Sequence, residues 1–333
     1  MIELVNVPSL TTVQDLGRIG YQKFGVPVSG VMDEVSARLT NYLVGNYDNA
    51  PLLEFVLRGP TIRFHSSAVF AVGGDVEVKL NGVPINPWES YWAKRGDVLE
   101  IGTLKTGMYG YIAFAGGICC ERILGSCSTY LRANFGRALK SGDTLSLGYA
   151  ILTGKDGKKL PEAFVPKYSN ESEVRVILGP QEDHFTEEGI RTFLSSTYEV
   201  TPESDRMGYR LEGPPIEHSE KGADIITDAI PLGAIQVPKS GKPIIMLADR
   251  QTTGGYAKIG VVARVDIPKV AQTRPGGKIR FRAVSVEDAQ KALRRRETTM
   301  EAIKMFLLGE LKAYKLKALG EEVIAFTKVE KKR

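Results

Sequence analysis

Cysteine and histidine are both scarce in this chain of 333 residues, with three of each. The three cysteines lie between residues 119 and 127, and their odd number and close spacing give no even disulfide framework. His65, His184 and His218 are widely scattered, and none has a Cys or Glu at the spacing of a zinc ligand. We therefore expect a protein of the reducing cytoplasm without a zinc site.

Long apolar runs and several familiar motifs are also missing. No window approaches the run of about 18 apolar residues that a membrane span needs, and the first residues, MIELVNVPSL, lack the charged start of an export signal. The phosphate-binding sequence GxxxxGK[ST] and the GxSxG turn of serine hydrolases do not occur. These absences argue against a membrane protein, a P-loop NTPase and an α/β-hydrolase.

The charge is nearly balanced, with 44 basic and 39 acidic side chains and a net charge of +5. The basic excess lies in residues 291–333, where Glu297, Glu301 and Glu310 are interleaved at helical spacing. That pattern is typical of a solvated helix, so we expect neither a nucleic-acid partner nor a membrane.

Glycine and proline are frequent, with 35 and 17 residues, and favour many turns and short strands. Few segments have helical character: Asp33–Val44, Glu182–Leu194 and a stretch from Val286 to about Leu319. Short alternating or apolar runs bounded by Gly or Pro predict strands at Leu53–Leu57, Ala68–Val72, Val76–Leu80, Val98–Ile101, Met108–Ala115, Leu145–Leu147, Val174–Leu178, Ile235–Val237, Pro243–Leu247, Val261–Val265 and Lys278–Phe281. The fold is therefore predicted to be mostly β.

An internal repeat indicates two related units. Leu57–Phe64 aligns with Leu211–His218, and Ser29–Met32 precedes the first segment as Ser204–Met207 precedes the second. We interpret the repeat as a duplicated β-barrel. The predicted domains are residues 1–155, with an inserted helix at 33–44, residues 172–285, and a C-terminal helical tail at 286–333.

The densest polar segment is Asp249–Lys258, which follows an apolar strand. Its two glycines let backbone N–H groups approach an anion, its threonines can donate hydrogen bonds, and Arg250 and Lys258 can balance negative charge. A buried polar network at a barrel mouth is the alternative interpretation.

Two further clusters combine carboxylates and cations. In Ser204–Arg210, two arginines could clamp a carboxylate or phosphate, or Asp205 and Arg206 could simply pair with each other. In Thr11–Arg18 and Ser29–Asp33, capping and turn roles for the acids are at least as plausible as catalysis.

Six motifs in one order carry a family resemblance: Thr11–Arg18, Ser29–Asp33, Leu124–Arg132, Ser204–Leu211, Gly233–Pro238 and Leu247–Tyr256. Over roughly residues 1–290 the chain closely resembles the KipA family, also called allophanate hydrolase subunit 2 or the C subunit of 5-oxoprolinase. The resemblance implies tandem cyclophilin-like β-barrels with few helices and a C-terminal helix. It also implies ATP-dependent hydrolysis of a cyclic amide, 5-oxoproline, to glutamate.

The resemblance further implies cofactors, partners and site residues. The cofactor would be ATP with Mg²⁺, and the partners would be a KipI-like subunit and a LamB/YcsF-like subunit. Asp205, Asp249, Arg250 and Lys258 are the predicted catalytic residues. The predicted substrate or anion ligands are Arg206, Arg210, Gln236, Gln251, Thr252, Thr253, Gln14, Asp15, Arg18, Ser29 and Asp33.

Within this set we assign roles as a hypothesis. Arg206, Arg250 and Lys258 would bind anions, and the two threonines would donate hydrogen bonds to them. Asp205 or Asp249 would hold a metal ion or a water molecule.

Two other functions stay open. The chain could be a regulatory protein that sequesters a KipI-type kinase inhibitor, which requires an interface and no intact site. It could instead be a carboxyltransferase-like subunit of a urea or allophanate pathway. That reaction needs a biotin carrier, and this chain has no Met-Lys-Met biotinylation motif.

Overall fold

The computed structural model describes residues 1–318 and 321–328, which form mainly strands and four α-helices. The helices are α1 Glu34–Leu43, α2 Glu187–Ser195, α3 Ile267–Gln272 and α4 Val286–Leu307. As predicted, α1 follows Asp33, whose side chain accepts hydrogen bonds from the backbone N–H groups of Val35 and Ser36.

Nine strands build the sheet of the first unit. They are β1 to β9 at Ile2–Asn6, Thr11–Gln14, Leu52–Val56, Thr61–Phe64, Ala68–Leu80, Val83–Ile85, Ser90–Ala93, Val98–Phe114 and Thr144–Leu145. Their central order is β2-β3-β8-β4-β1-β9, and β5 joins β8 with β6 and β7 beside it. This sheet is a half-barrel, so only the second of the two predicted barrels is closed.

The second unit is a closed barrel of seven strands in the order β10-β17-β14-β15-β12-β11-β18. Between β12 and β17, the short strands β13 and β16 form a separate two-stranded sheet. The nine strands of the second unit, β10 to β18, are Glu171–Leu178, Thr197–Val200, Gly208–Glu212, Asp224–Ala229, Ala234–Gln236, Ile244–Met246, Thr253–Tyr256, Lys258–Val262 and Lys278–Ala283. The mostly β class with few helices is therefore confirmed.

The two units share one core. The largest cluster of buried apolar side chains runs through both, from Leu39 and Tyr111 in the first to Val176 and Ile235 in the second, and continues to Ile303 on α4. A smaller cluster fills the half-barrel itself. The junction between the units is therefore held by apolar burial as well as by polar contacts.

The C-terminal tail differs from its prediction. Helix α4 ends at Leu307, and β19 (Leu311–Ala318) pairs with β20 (Glu321–Lys328) in an antiparallel hairpin. The prediction of helix from 308 onward is therefore wrong, because the alternation of residues 311–318 suits a strand as well as a helix. Residues 319–320 and 329–333 of the predicted tail lie outside the described residues. The domain boundaries at 155, 172 and 285 stay predictions.

Helix α4 packs on the body of the protein. Ion pairs join it to α1 and its following loop: Glu297 to Arg38 at 2.8 Å, and Lys304 to Asp48 at 3.0 Å. Burial alone would raise the pKa of Asp48, but hydrogen bonds from Lys304 and Tyr42 lower it below its ordinary value. The helix is thus held by both charge and apolar contact.

Two other sequence-based expectations concern the whole chain. In the described residues, no helix combines the length and apolar character that spanning a bilayer requires. The cysteines are not all free, because Cys120 and Cys127 form a disulfide, whereas Cys119 is free and exposed. The expectation of cysteines without a disulfide is therefore wrong, because the intervening turn brings the sulfurs of Cys120 and Cys127 together.

A core substitution in α4 tests its contribution to stability. Replacing the buried Ile303 by Ala should lower the free energy of unfolding by about 2–5 kcal/mol, because it leaves a cavity in the shared core. Glu301→Ala, two residues away on the exposed side, is the matched control and should change it by less than about 0.5 kcal/mol. Urea unfolding of both variants measures the free energy of unfolding. Equally small decreases in the two variants would show that α4 contributes little to stability.

Candidate functional site

The guanidinium of Arg206 lies at the junction of the two units. Its Nε donates to Oδ2 of Asp249 at 2.9 Å, and its Nη2 donates to Oδ1 of the same carboxylate at 3.1 Å. Its Nη1 donates to Glu54 of β3, and Nη2 also donates to the backbone oxygen of Gly30. One cation of the second unit is thus bound by groups from both units.

This network continues through the first unit. Glu54 accepts hydrogen bonds from the backbone N–H of Met32 at 2.7 Å and from the hydroxyl of Tyr111 at 2.8 Å. The same hydroxyl accepts from the backbone N–H of Asp33 at 2.8 Å. Glu54 therefore ties the Arg206 cation to the start of α1.

The carboxylate of Asp33 connects this network to the second unit. It accepts from the hydroxyl of Tyr168 at 2.5 Å and from the side-chain amide of Gln272, at the end of α3, at 2.9 Å. Because Asp33 also caps α1, its carboxylate joins the helix to the second unit. This buried polar network lies at the junction of the two units and includes Asp249 of the segment 249–258, whereas the alternative interpretation of that segment placed such a network at a barrel mouth.

Electrostatics explain why Arg206 stays charged there. Burial alone would lower the pKa of this guanidinium, but the carboxylates of Asp249 and Glu54 outweigh burial and raise the pKa above its ordinary value. A buried cation with two carboxylates and a carbonyl is fully engaged. Arg206 is therefore bound within the protein and is not a free anion ligand.

Above this network lies the junction cleft, which we define as three adjoining cavities that share Arg132. Their volumes are about 450, 330 and 150 Å³. Arg132 follows β8 on a loop of the first unit, and its Nη2 donates to Oδ2 of Asp205, in the second unit, at 3.2 Å. The cleft is thus formed by both units, and an ion pair crosses it.

The cleft gathers many of the predicted site residues. The largest cavity is lined by Asp205, Arg210, Gln236 and Gln251. The second is lined by Gln251, Thr252 and Thr253 opposite an apolar wall. The smallest is lined by Gln14, Asp205, Arg206 and Asp249. Cations, amides and hydroxyls therefore face one space, which suits a small anion with further hydrogen-bonding groups.

The segment 249–258 does not act as one site. Asp249 is engaged by Arg206 and by the hydroxyl of Ser29 at 2.6 Å, whereas Gln251 to Thr253 and Tyr256 line the larger cavities of the cleft. Arg250 points into a different cavity. The ammonium of Lys258, on β17, is buried and donates to Asp228 of β13 at 2.8 Å. The structure thus separates the two predicted catalytic cations from the cleft.

The residues of the first motif are held within the first unit. Asp15 accepts hydrogen bonds from Ser126 and Ser128 at 2.5 and 2.6 Å, and Arg18 donates to the backbone oxygen of Ser128. Asp15, Arg18 and Asp33 do not line the cleft. Asp15 and Arg18 hold the loop that leads to Arg132, and Asp33 caps α1, so the two acids have the turn and capping roles considered from the sequence.

Sequence reasoning missed Glu54, Arg132 and Gln272. A charged residue inside the apolar run Leu52–Val56 was the available signal for Glu54, because a buried strand seldom carries an unpaired carboxylate. Arg132 lies in one of the six motifs, but no local feature assigns it a role. No local pattern marks Gln272, which acts through residues far away in the chain.

The donor set of the cleft fits an anion better than a metal. Arg132, Arg210 and the two threonines can bind carboxylate or phosphate oxygens. Over residues 1–318 and 321–328, no three His, Cys, Asp or Glu side chains gather as a metal site.

Comparison with known proteins identifies the family. A model of the carboxyltransferase domain, subdomains A and B, matches residues 24–283. The chain belongs to this carboxyltransferase-domain family.

Two relatives of this carboxyltransferase-domain protein are both named as the C subunit of 5-oxoprolinase. The one from Haemophilus influenzae is 36% identical over 309 residues, which cover 91% of this chain and 98% of the relative. The one from Escherichia coli is 32% identical over 315 residues, which cover 93% of this chain and 100% of the relative. The resemblance inferred from the motifs is confirmed.

A solved structure shows the same architecture in a larger enzyme. The K. lactis urea amidolyase matches with a TM-score of 0.86 and 33% identity over 91% of this chain. The match covers 20% of the urea amidolyase chain, so this protein spans only about a fifth of that enzyme.

The junction network predicts a large effect of a small change. Glu54→Gln removes one of the two carboxylates that hold Arg206, and should lower the free energy of unfolding by about 3–5 kcal/mol because a buried cation loses a partner. Glu100→Gln, at an exposed position of β8, is the matched control and should be neutral. Denaturant unfolding compares them, and a loss no larger than the control's would refute the role given to this pair.

Proposed function

We propose that this protein is a subunit of an ATP-dependent 5-oxoprolinase, in which it helps to open the cyclic amide of 5-oxoproline to glutamate. The main observation behind this proposal is the lining of the junction cleft, which includes Arg132, Arg210, Gln236 and the two threonines. The chain also aligns with nearly the whole length of a 5-oxoprolinase C subunit. The substrate has a carboxylate and an amide, and both kinds of group find partners in this cleft.

Different residues of the cleft would bind different groups of the substrate and of ATP. Arg132 and Arg210 would hold the carboxylate, and the amides of Gln236 and Gln251 would bind the lactam N–H and C=O. ATP, when bound, would supply the phosphoryl group that makes the amide carbon a better electrophile. Thr252 and Thr253 would hold its phosphate oxygens by donating hydrogen bonds.

Asp205 lies where its carboxylate could accept a proton and later donate it. Its Oδ1 accepts the backbone N–H of Met207 at 2.8 Å, which fixes the side chain, while its Oδ2 faces Arg132. When a substrate carboxylate takes over Arg132, Oδ2 would become free to orient a water molecule and accept its proton. The water oxygen would bond to the amide carbon, and the ring C–N bond would break as Asp205 returns the proton to the nitrogen. A second water would then displace inorganic phosphate and leave glutamate.

Further subunits are part of the proposal. A KipI-like and a LamB/YcsF-like subunit would complete the site, because the relatives that this chain matches over nearly their whole length are named as a single subunit of 5-oxoprolinase. We place the assembly in the cytoplasm.

Arg132→Ala tests the cleft. In the complex assembled with both partner subunits, it should lower kcat/KM for 5-oxoproline by about 10- to 100-fold through loss of a charge-assisted contact. The assay follows glutamate and ADP together, with thermal unfolding as a check on folding. Arg137→Ala is the matched control, because both side chains are 61% exposed and Arg137 pairs with Asp143 outside the cleft. Equal activity of the two variants would contradict the assignment.

The likeness to urea amidolyase favours a second candidate, a carboxyltransferase-like role on urea or another amide. The same complex distinguishes the two, since a carboxylation requires bicarbonate and a biotin carrier and is blocked by avidin. Turnover of 5-oxoproline without either supports the main proposal. Tight complex formation without any turnover would instead favour the regulatory binding role.

A further inference from the structure

A separate cavity of about 210 Å³ lies between the units, on the other side of the contact between Ser29 and Asp249. We call it the aliphatic pocket. Its walls are mainly apolar side chains from both units, namely Leu16, Val28, Met32, Leu247, Ala248 and Ile267. It is smaller than the roughly 300–1,000 Å³ of pockets for drug-sized ligands, so it suits a short molecule.

One cation points into this pocket without a carboxylate partner. Arg250 is only 6% exposed. Its Nε donates to the backbone oxygen of Ile230 at 3.0 Å and its Nη1 to that of Leu247 at 3.2 Å, while Nη2 donates to no group in the described part of the chain. Burial and the nearby Arg264 lower the pKa of Arg250 to about 10, with no carboxylate to offset them.

The acidic side chain on the pocket wall is already engaged. Glu34 lines the pocket, but it pairs with Arg264 at 2.9 Å and with Arg296 of α4. The charge facing the cavity is therefore positive on balance. A buried cation without a counterion is unfavourable, and an anion that fills an apolar space beside it removes that cost.

We propose that the aliphatic pocket binds a small aliphatic carboxylate, with the carboxylate on Arg250 and the alkyl body against the apolar walls. This site goes beyond the proposed function, because it is lined by Arg250 and not by Arg132, and needs no partner subunit or ATP. Nη2 and the pocket walls supply the charge-assisted hydrogen bond and the apolar contact that such a ligand needs.

The test uses the full chain and 3-methylbutanoate as the probe. Titration calorimetry should show saturable binding of one molecule per chain, and the neutral 3-methylbutanamide should bind about 10-fold more weakly or not at all, because it cannot pair with Arg250. Failure of 3-methylbutanoate to bind at millimolar concentration would overturn the proposal.

Three variants locate the binding. Arg250→Met removes the cation, and Ala248→Leu keeps the cation but fills part of the cavity, so each should weaken binding by about 10-fold or more. Arg210→Met removes a cation of the junction cleft and should leave the affinity unchanged. Weakening by Arg210→Met alone would place the carboxylate in the cleft and overturn the assignment. The result does not depend on 5-oxoproline turnover, so the two proposals fail separately.

Discussion

The contact of Arg206 with Asp249 and Glu54 is the interaction on which the arrangement of the two units depends. A guanidinium removed from water is stable only when its donors are satisfied, and here the satisfying groups come from both units. Because apolar burial is non-directional, the shared core holds the units together but does not fix their orientation. The ion pairs of Arg206 fix the orientation of the two units.

The position of the cleft follows from this arrangement. Arg206 and Asp249 line its smallest cavity, and the loops that carry Arg132 and Asp205 meet above them. A segment that is continuous in sequence, 249–258, therefore serves three places: the network, the cleft and the aliphatic pocket. Residues 247–252 form a turn between β15 and β16, so neighbouring side chains point in different directions and take part in different sites.

Much of the fold was predictable from local patterns. Alternation located most of the longer strands, and Asp33 marked the start of α1 because a cap is a local interaction. The strand β19 was missed because, in residues 311–318, charged residues lie between apolar ones at a spacing that also fits a helix. The pairing of Glu54 with Arg206 could not be predicted, since the two residues lie 152 positions apart and are brought together only by the junction. The cleft was predicted in composition, through Asp205, Arg210 and the threonines, but not in its boundaries.

The ion pair of Arg132 with Asp205 differs in kind from the network beneath it. Both side chains are more than half exposed, and an exposed pair contributes about 0–1 kcal/mol and is screened by salt. The electrostatic attraction between Arg132 and Asp205 therefore weakens as ionic strength rises, whereas the buried ion pairs of Arg206 are weakened much less. The entrance of the cleft is thus responsive to the salt content of its surroundings, and a negatively charged molecule can exchange with Asp205 at little cost while the two units keep their positions.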